Sequence, residues 1–264
     1  MQYQGGKSRI AKHIANIIDE ISRREISNCE NNSITDSDDI RAIRERERER
    51  VIVSLFCGTC SIESQLAKSF DRVICNDKHK YLIDMLKGVQ EGYELPEYIS
   101  EEQYKYIKQH KDEDSVLAGF VGFGCSFGGK WFGGYARNKE NTNYALQSKK
   151  SLLNDMATLN KSEFICNDYQ NVVLPDGCFV YADPPYDNTT CYCGEKFDNQ
   201  IFWQYARDVS KNHLIFISEQ HAPDDFIAIW SHELKRTLDV NKHNQPKAVE
   251  KLYIHKDWYE KIYK

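Results

Sequence analysis

One apolar segment and the turn that ends it constrain the fold of this chain most strongly. Cys178 to Ala182 is an uninterrupted apolar run that predicts a buried strand, and Asp183-Pro184-Pro185-Tyr186 follows it directly. Two consecutive prolines fix φ twice and remove two backbone N–H donors, so the turn offers only carbonyl acceptors beside a carboxylate. These acceptors and the tyrosine ring suit the exocyclic amine of a nucleobase.

Length and composition predict a soluble cytoplasmic protein of ordinary kind. The chain has 264 residues, enough for one large α/β domain with or without an insertion. Its hydrophobic share of 41% and charged share of 28% are globular values. No apolar run approaches the ~20 residues that cross a bilayer, and no signal-peptide core follows the first residues. The nine cysteines are therefore expected to be reduced thiols.

A strand-turn-helix-strand pattern occupies residues 51–77. Residues 51–56 predict a strand, 57–60 a tight turn, 61–70 a helix and 72–76 a second strand that ends at Asp77. Asp77 lies 19 residues after Gly58, close to the ~20 expected of an acid that accepts from ribose hydroxyls. Only one glycine of the dinucleotide fingerprint is present, which disfavours a nicotinamide cofactor.

A glycine-rich and aromatic segment, residues 119–135, interrupts a mostly helical region. It holds seven of the 14 glycines and six interleaved aromatic residues. Between Ser115 and Ser162 there are six basic and two acidic residues, although the net charge of the whole chain is −5. This mixture favours nucleic-acid contact by Lys130, Trp131, Tyr135, Arg137 and Lys139. A packed aromatic loop or a phosphate cradle without DNA would give the same pattern.

The remaining segments complete an alternating pattern of helices and strands. We expect an amphipathic helix over 7–23, a charged and solvated tract over 28–50, and further strands at 164–166, 214–218, 238–240 and 252–254. Together with the strands above, this predicts a sheet of seven strands.

The order of these segments resembles the D12-class, Dam-like family of DNA adenine-N6 methyltransferases that carry a DPPY motif. The resemblance rests on Tyr3-Gln4-Gly5-Gly6-Lys7, Leu55-Phe56-Cys57-Gly58-Thr59, Asn76-Asp77, Asn167-Asp168-Tyr169 and the turn at Asp183, with weaker similarity at 216–219 and 250–254. Cys60 departs from the pattern, because it stands where the family has a second loop glycine. We expect Cys60 to be tolerated with a negative φ.

The resemblance implies a fold and a domain organisation. The fold would be an α/β, Rossmann-like, S-adenosylmethionine-dependent methyltransferase sheet of about seven mostly parallel strands, with a mainly helical target-recognition insert. Residues 1–87 and 161–264 would form the catalytic domain, with a charged linker over 24–50, and residues 88–160 would form the DNA-binding insert.

The resemblance also implies S-adenosylmethionine as methyl donor, S-adenosylhomocysteine as product and no metal. Duplex DNA would be the partner of a monomer or weak dimer that binds no membrane. Cofactor-binding residues would be Tyr3, Gly5, Gly6, Lys7, Phe56, Gly58, Asp77, Asp168 and Tyr169, and catalytic residues would be Asp183, Pro184, Pro185 and Tyr186. The residues alone already indicate Gly58, Asp77 and the Asp183 turn.

Other functions stay open at this point. Related methyltransferases use a similar turn on RNA adenine or on a protein amide, and a module that senses the cofactor without catalysis would keep the cofactor motifs. Cys57-x-x-Cys60 and Cys191-x-Cys193 are weak signs of zinc, because no second pair has standard spacing.

Overall fold

The computed structural model describes residues 1, 7–31, 49–185, 197–234 and 248–264. Within these ranges the chain forms seven β-strands and eight α-helices. The strands are β1 (Val51–Ser54), β2 (Arg72–Asp77), β3 (Glu163–Cys166), β4 (Phe179–Ala182), β5 (Ile215–Glu219), β6 (Phe226–Leu234) and β7 (Ala248–His255). The helices are α1 (Ala11–Asn31), α2 (Glu63–Leu66), α3 (Lys80–Gln90), α4 (Glu101–Gln109), α5 (Ser115–Gly124), α6 (Tyr144–Met156), α7 (Asn199–Ser210) and α8 (Lys256–Tyr263).

The seven strands form one sheet in the order β3-β2-β1-β4-β5-β7-β6. β2 and β3 are parallel, with Asn76 opposite Ile165, and β4 and β5 are parallel, with Tyr181 opposite Phe216. β7 runs antiparallel to both β5 and β6. This arrangement confirms the predicted α/β fold with seven mostly parallel strands.

The chain divides into two compact units. The first unit comprises residues 1–16 and 53–173, and its core includes the fully buried Leu82, Phe120 and Phe123. The second unit comprises residues 17–52 and 174–264, and its core includes the fully buried Phe202 and Phe216. The predicted division into a catalytic domain and an insert over 88–160 stays a prediction, although α4, α5 and α6 lie within that range.

The central strands are buried at every position. All four residues of β1 and of β4, and all five of β5, are buried. A strand covered on both faces needs apolar residues at consecutive rather than alternating positions, and the sequence shows such runs at these places. The apolar runs therefore predicted these strands within about two residues.

Glycines of the first unit allow two helices to pack closely. A Cβ on Gly119 of α5 would lie 2.1 Å from the carbonyl oxygen of Tyr81 on α3, and a Cβ on Gly88 of α3 would lie 2.6 Å from Val116. Real Cβ atoms cannot approach so closely, so glycine is required at both positions. The first part of the glycine-rich segment is thus a packed helix rather than a flexible loop.

Two predicted helices differ in extent from those observed. The N-terminal helix begins at Ala11 and continues to Asn31, beyond the predicted end at Arg23. The predicted helix over 61–70 is α-helical only from Glu63 to Leu66. Near its end, Lys68 N–H donates to the Gln65 carbonyl three residues back, and such tighter closures replace the α-helical pattern.

One strand was not predicted from the sequence. β6 lies at Phe226–Leu234 and pairs with β7, with a register irregularity between Ala228 and Trp230. Its burial alternates only as far as Ile229, because Trp230 is half-buried as well and the next three residues are all exposed. The strand predicted at 238–240 lies outside the described residues.

Candidate functional site

A tight turn follows β1 in the first unit. The Cys60 N–H donates to the Cys57 carbonyl at 2.8 Å, and Gly58 at the turn has a φ of 51°. Left-handed backbone of this kind favours glycine, which explains the glycine of the motif. The Cys57 N–H donates to the Asn76 carbonyl at 2.8 Å, so this turn is attached to the end of β2.

Cys60 adopts a conformation that the sequence analysis did not expect. Its φ is 58°, in the left-handed region, whereas a negative φ was expected. A non-glycine residue there costs about 1–2 kcal/mol. Cys60 is fully buried beside Cys57 and Cys75. Burial raises the pKa of the Cys60 and Cys75 thiols, so both stay protonated and pack as apolar groups. Cys60 therefore adopts the left-handed backbone that favours glycine, at the position where the motif it resembles has a second glycine.

Asp77 ends β2, and backbone N–H groups orient its carboxylate. Its Oδ2 accepts from the Gly58 N–H at 3.1 Å and its Oδ1 accepts from the His79 N–H at 2.9 Å. Desolvation by burial raises the pKa of Asp77 above its ordinary value, and hydrogen bonds from the backbone of His79, Gly58 and Lys78 oppose that shift. A carboxylate has about four acceptor positions, so it can still accept from ribose hydroxyls.

The fully buried side chain of Asn76, near the end of β2, connects the loops that follow β1 and β3. Its Nδ2 donates to the Leu55 carbonyl at 3.0 Å and to the Asn167 carbonyl at 3.1 Å. The three residues belong to the segments after β1, at the end of β2 and after β3. The acidic motif thus carries a structural residue beside the acid itself.

The third predicted cofactor segment lies after β3 in the same unit. The rings of Tyr169 and Phe56 contact each other, with centroids 5.2 Å apart. Asp168 Oδ1 accepts from the Gln170 N–H at 3.2 Å, and its Oδ2 lies 3.2 Å from Lys78 Nζ. Half-buried carboxylates and aromatic rings on adjoining loops fit a nucleoside, which presents hydroxyls, an amino group and a flat face.

The N-terminal motif is described only at Lys7. This lysine is buried, and its carbonyl accepts from the Ile10 N–H at 2.9 Å. Tyr3, Gly5 and Gly6 lie outside the described residues, so their predicted cofactor roles stay predictions.

The Asp-Pro-Pro turn directly follows β4 in the second unit. Pro184 is buried, while Asp183 and Pro185 are half-buried. β4 pairs with β5 through Ala182 opposite Ile217, and the Tyr181 hydroxyl lies 2.9 Å from the Ser218 hydroxyl at the end of that pair. The turn therefore starts from a fixed strand end. Tyr186 lies outside the described residues.

Residues 126–135, here called the glycine loop, are closed at their base. Ser126 and Tyr135 form a bridge, and Phe127 N–H donates to the Gly134 carbonyl at 2.9 Å. Gly128, Gly129 and Gly134 all have positive φ. The Tyr104 hydroxyl of α4 contacts Ser126 Oγ at 2.8 Å and accepts from the Gly134 N–H at 3.2 Å. The loop is thus a built structure supported by α4.

The predicted DNA-contact residues differ in exposure. Lys130, Arg137 and Lys139 are exposed, and Arg137 forms an ion pair with Glu101. Tyr135 is half-buried, and its hydroxyl donates to the Ile99 carbonyl at 2.7 Å. Trp131 is half-buried as well, with its centroid 5.2 Å from that of Tyr81. Of these five residues, only the three cations are exposed.

Sequence reasoning missed several residues near the predicted ones. Lys78 pairs with Asp168, and His79 anchors Asp77 through its backbone N–H. Phe127 is 65% exposed at the start of the glycine loop. The positions directly after Asp77 and the aromatic next to Gly128-Gly129 were visible signals, but exposure is a property of the folded chain.

Among the residues that the structure describes, no group of three or more His, Cys, Asp or Glu side chains is arranged to hold a metal ion. None of the helices described has the length and apolarity that a bilayer crossing needs.

The sheet and the loops at its strand ends define a class: this is the fold of Rossmann-like methyltransferases that use S-adenosylmethionine. Residues 37–120 match the family described as D12 class N6 adenine-specific DNA methyltransferase. This match confirms the resemblance found in the sequence motifs. Fold and family match together support an S-adenosylmethionine-dependent methyltransferase.

Three solved structures have low sequence identity and a low TM-score to this chain. A protein from Haemophilus influenzae that is provisionally classed as a methylase is 11% identical, with a TM-score of 0.35, over 82% of this chain and 85% of its own. An rRNA methylase from Streptococcus thermophilus is 10% identical, with a TM-score of 0.33, over 78% of this chain and 87% of its own. A tRNA (m1A58) methyltransferase from Aquifex aeolicus is 10% identical, with a TM-score of 0.33, over 78% and 62%. No curated protein sequence matches significantly.

Proposed function

We propose that this protein transfers a methyl group from S-adenosylmethionine to N6 of adenine in double-stranded DNA. The observation that carries the proposal is the acidic turn Asp183-Pro184-Pro185 directly beyond β4. The turn places a carboxylate beside backbone carbonyls, and its two prolines have no N–H groups. The D12 family match supports adenine N6 as the acceptor and DNA as the polymer.

The loops of the first unit supply the cofactor contacts in this proposal. Asp77 accepts from the ribose hydroxyls, because its carboxylate is already oriented by the Gly58 and His79 N–H groups. Asp168 accepts from the amino group of the cofactor's adenine, and Phe56 and Tyr169 provide apolar faces for the ring. Lys7, Tyr3 and the Gly5-Gly6 pair complete the contacts. When bound, S-adenosylmethionine supplies an electrophilic methyl group on a sulfonium.

The acidic turn prepares the target amine. Adenine N6 is a poor nucleophile, because its lone pair is delocalised into the ring. Asp183 and the Pro184 carbonyl each accept a hydrogen bond from one N6–H. These two hydrogen bonds hold the nitrogen in place and favour a pyramidal geometry. Tyr186 stacks on the base, and this contact offsets part of the few kcal/mol that leaving the duplex stack costs.

The glycine loop and the residues after it contact the nucleic acid in this proposal. Lys130 and Lys139 are exposed cations, and Arg137 becomes available to a phosphate if it leaves Glu101. Phe127 is the loop's most exposed aromatic side chain and can stack on a base. We therefore assign the stacking contact of this loop to Phe127 rather than to the half-buried Trp131.

The test is a methylation assay with competing acceptors. Purified protein and donor labelled in the methyl group are incubated with a mixture of duplex DNA, RNA and protein, and the labelled product is digested and mapped. We expect the label in DNA as N6-methyladenine, and about 10²–10³-fold slower labelling with the Asp183→Ala variant. Label in RNA or protein alone would replace the proposed acceptor, and label on another DNA base would remove the role of the turn.

A further inference from the structure

His79, two residues after Asp77, connects two parts of the first unit. Asp77 Oδ1 accepts from the backbone N–H of His79 at 2.9 Å. Any displacement of His79 therefore displaces one of the backbone hydrogen bonds that orient the Asp77 carboxylate. The position of this carboxylate depends on what packs around the His79 ring.

The His79 ring is buried, and its orientation is fixed from two sides. Its Nδ1 accepts from the Leu82 N–H at 3.3 Å, which caps the start of α3. Burial lowers the pKa of His79 to about 4, so the ring is neutral at physiological pH. Because Nδ1 accepts, the ring proton lies on Nε2. The other side of the ring meets aromatic neighbours, with centroids 4.4 Å away at Trp131 and 5.0 Å away at Phe123.

Trp131 is held in a notch of α5. A Cβ on Gly122 would lie 2.2 Å from the Trp131 ring, so the absence of a side chain at Gly122 makes room for the indole. Phe132, the next residue, donates its N–H to the Gly122 carbonyl at 2.8 Å. Trp131 thus joins the glycine loop to the His79 ring through direct packing, and its neighbour Lys130 is exposed.

We propose that Trp131 is a positioning residue for the cofactor site, acting on Asp77 through the His79 ring rather than stacking on nucleic acid. The inference rests on the proposed function, because it takes Asp77 as the cofactor's ribose acceptor. Cofactor binding at Asp77 and polymer binding at the glycine loop then influence each other through one packed contact. Such coupling is reciprocal and typically changes affinity about 5–150-fold.

The first test is spectroscopic and uses the whole chain without nucleic acid. S-adenosylhomocysteine is titrated while calorimetry gives its affinity and tryptophan emission is recorded. We expect an emission change that saturates with the calorimetric affinity, that is lost in Trp131→Phe and that persists in the control Trp230→Phe. Binding without a Trp131-dependent emission change overturns the proposed link between Trp131 and Asp77 but leaves the proposed function standing. If S-adenosylhomocysteine does not bind, the proposed function fails first.

The second test separates positioning from polymer contact. Trp131→Leu should weaken S-adenosylhomocysteine about fivefold or more in the absence of DNA. It should raise KM for the donor while leaving kcat at saturating donor within about twofold. His79→Asn, which retains a helix-capping side chain, should give the same split. An unchanged cofactor affinity together with weakened DNA binding in Trp131→Leu overturns the proposal, because it describes a stacking residue.

Discussion

Gly58 and Asp77 are joined by a hydrogen bond of 3.1 Å from the glycine N–H to the carboxylate Oδ2. The glycine belongs to the turn after β1, and the aspartate ends β2. The left-handed φ of 51° at Gly58 accompanies this N–H contact with Asp77. One contact therefore explains why the glycine and the acid occur together in the motif pattern.

The first prediction concerns Asp77. In Asp77→Asn the amide nitrogen would replace an oxygen that now accepts a backbone N–H, and an acceptor for the ribose would be lost. Hydrogen bonds to charged groups contribute about 1.5–3 kcal/mol, so S-adenosylhomocysteine affinity should fall about tenfold or more in calorimetry. Asp84→Asn on α3, which changes only the ion pair with Lys80, is the matched control. Equal affinities in the two variants would contradict the assignment.

The second prediction concerns the pH dependence of stability. Burial lowers the pKa of His79 from 6.5 to about 4, so the folded state disfavours the protonated ring. This contribution is present above pH 6.5 and is lost as the pH falls towards 4, and it amounts to about 3 kcal/mol at most. Urea unfolding across this range should show a shallower loss of stability in His79→Asn. The exposed His13→Gln serves as control, and identical pH profiles for His79→Asn and wild type would contradict the prediction.

The third prediction concerns the proposed catalytic role of the turn at Asp183. Asp183→Ala removes one acceptor for the N6 protons, and losses of about 10²–10³ in kcat follow from removal of one preorganised contact. Calorimetric affinity for S-adenosylhomocysteine should stay within about twofold. Asp176→Ala, an exposed position before β4, should leave both quantities unchanged. Turnover at the wild-type rate in Asp183→Ala would exclude the proposed mechanism.

The fourth prediction concerns Phe127. Its side chain is 65% exposed, so Phe127→Ala should change the free energy of unfolding by less than about 0.5 kcal/mol. Affinity for duplex DNA should fall by the equivalent of about 1–3 kcal/mol if the ring stacks on a base. Tyr98→Ala is a matched control, because Tyr98 is also 65% exposed. Fluorescence anisotropy with labelled duplex measures the difference, and equal DNA affinity for both variants would count against stacking.

The fifth prediction concerns salt. Each phosphate contact contributes about 0.9 to the slope of log affinity against log salt concentration for duplex DNA. Lys130→Gln and Arg137→Gln should each flatten that slope by about this amount. The exposed Lys87→Gln, on α3, should leave it unchanged. A slope that is the same in all three variants would argue against a phosphate-binding role of Lys130 in the glycine loop and of Arg137 after it.

Local sequence patterns were sufficient for the strands that present the site. Apolar runs mark β1, β4 and β5 because both faces of these strands are buried. Asp183 directly follows β4 and Asp77 is the last residue of β2, so both acids could be singled out by their place at a strand end. β6 escaped prediction because its burial does not alternate beyond Ile229 and its partner, β7, lies further along the chain.

The roles of the glycine-rich segment were decided by tertiary structure. Gly119 and Gly122 permit close contacts with Tyr81 and Trp131, which lie on other elements, so no periodicity in the segment itself distinguishes them from loop glycines. The left-handed φ of Cys60 likewise depends on its burial beside Cys57 and Cys75. Residue type and position at a strand end were enough to determine the candidate residues Asp77 and Asp183 from the sequence. Exposure, ring contacts and backbone strain were decided by the fold, because they arise between residues distant in sequence.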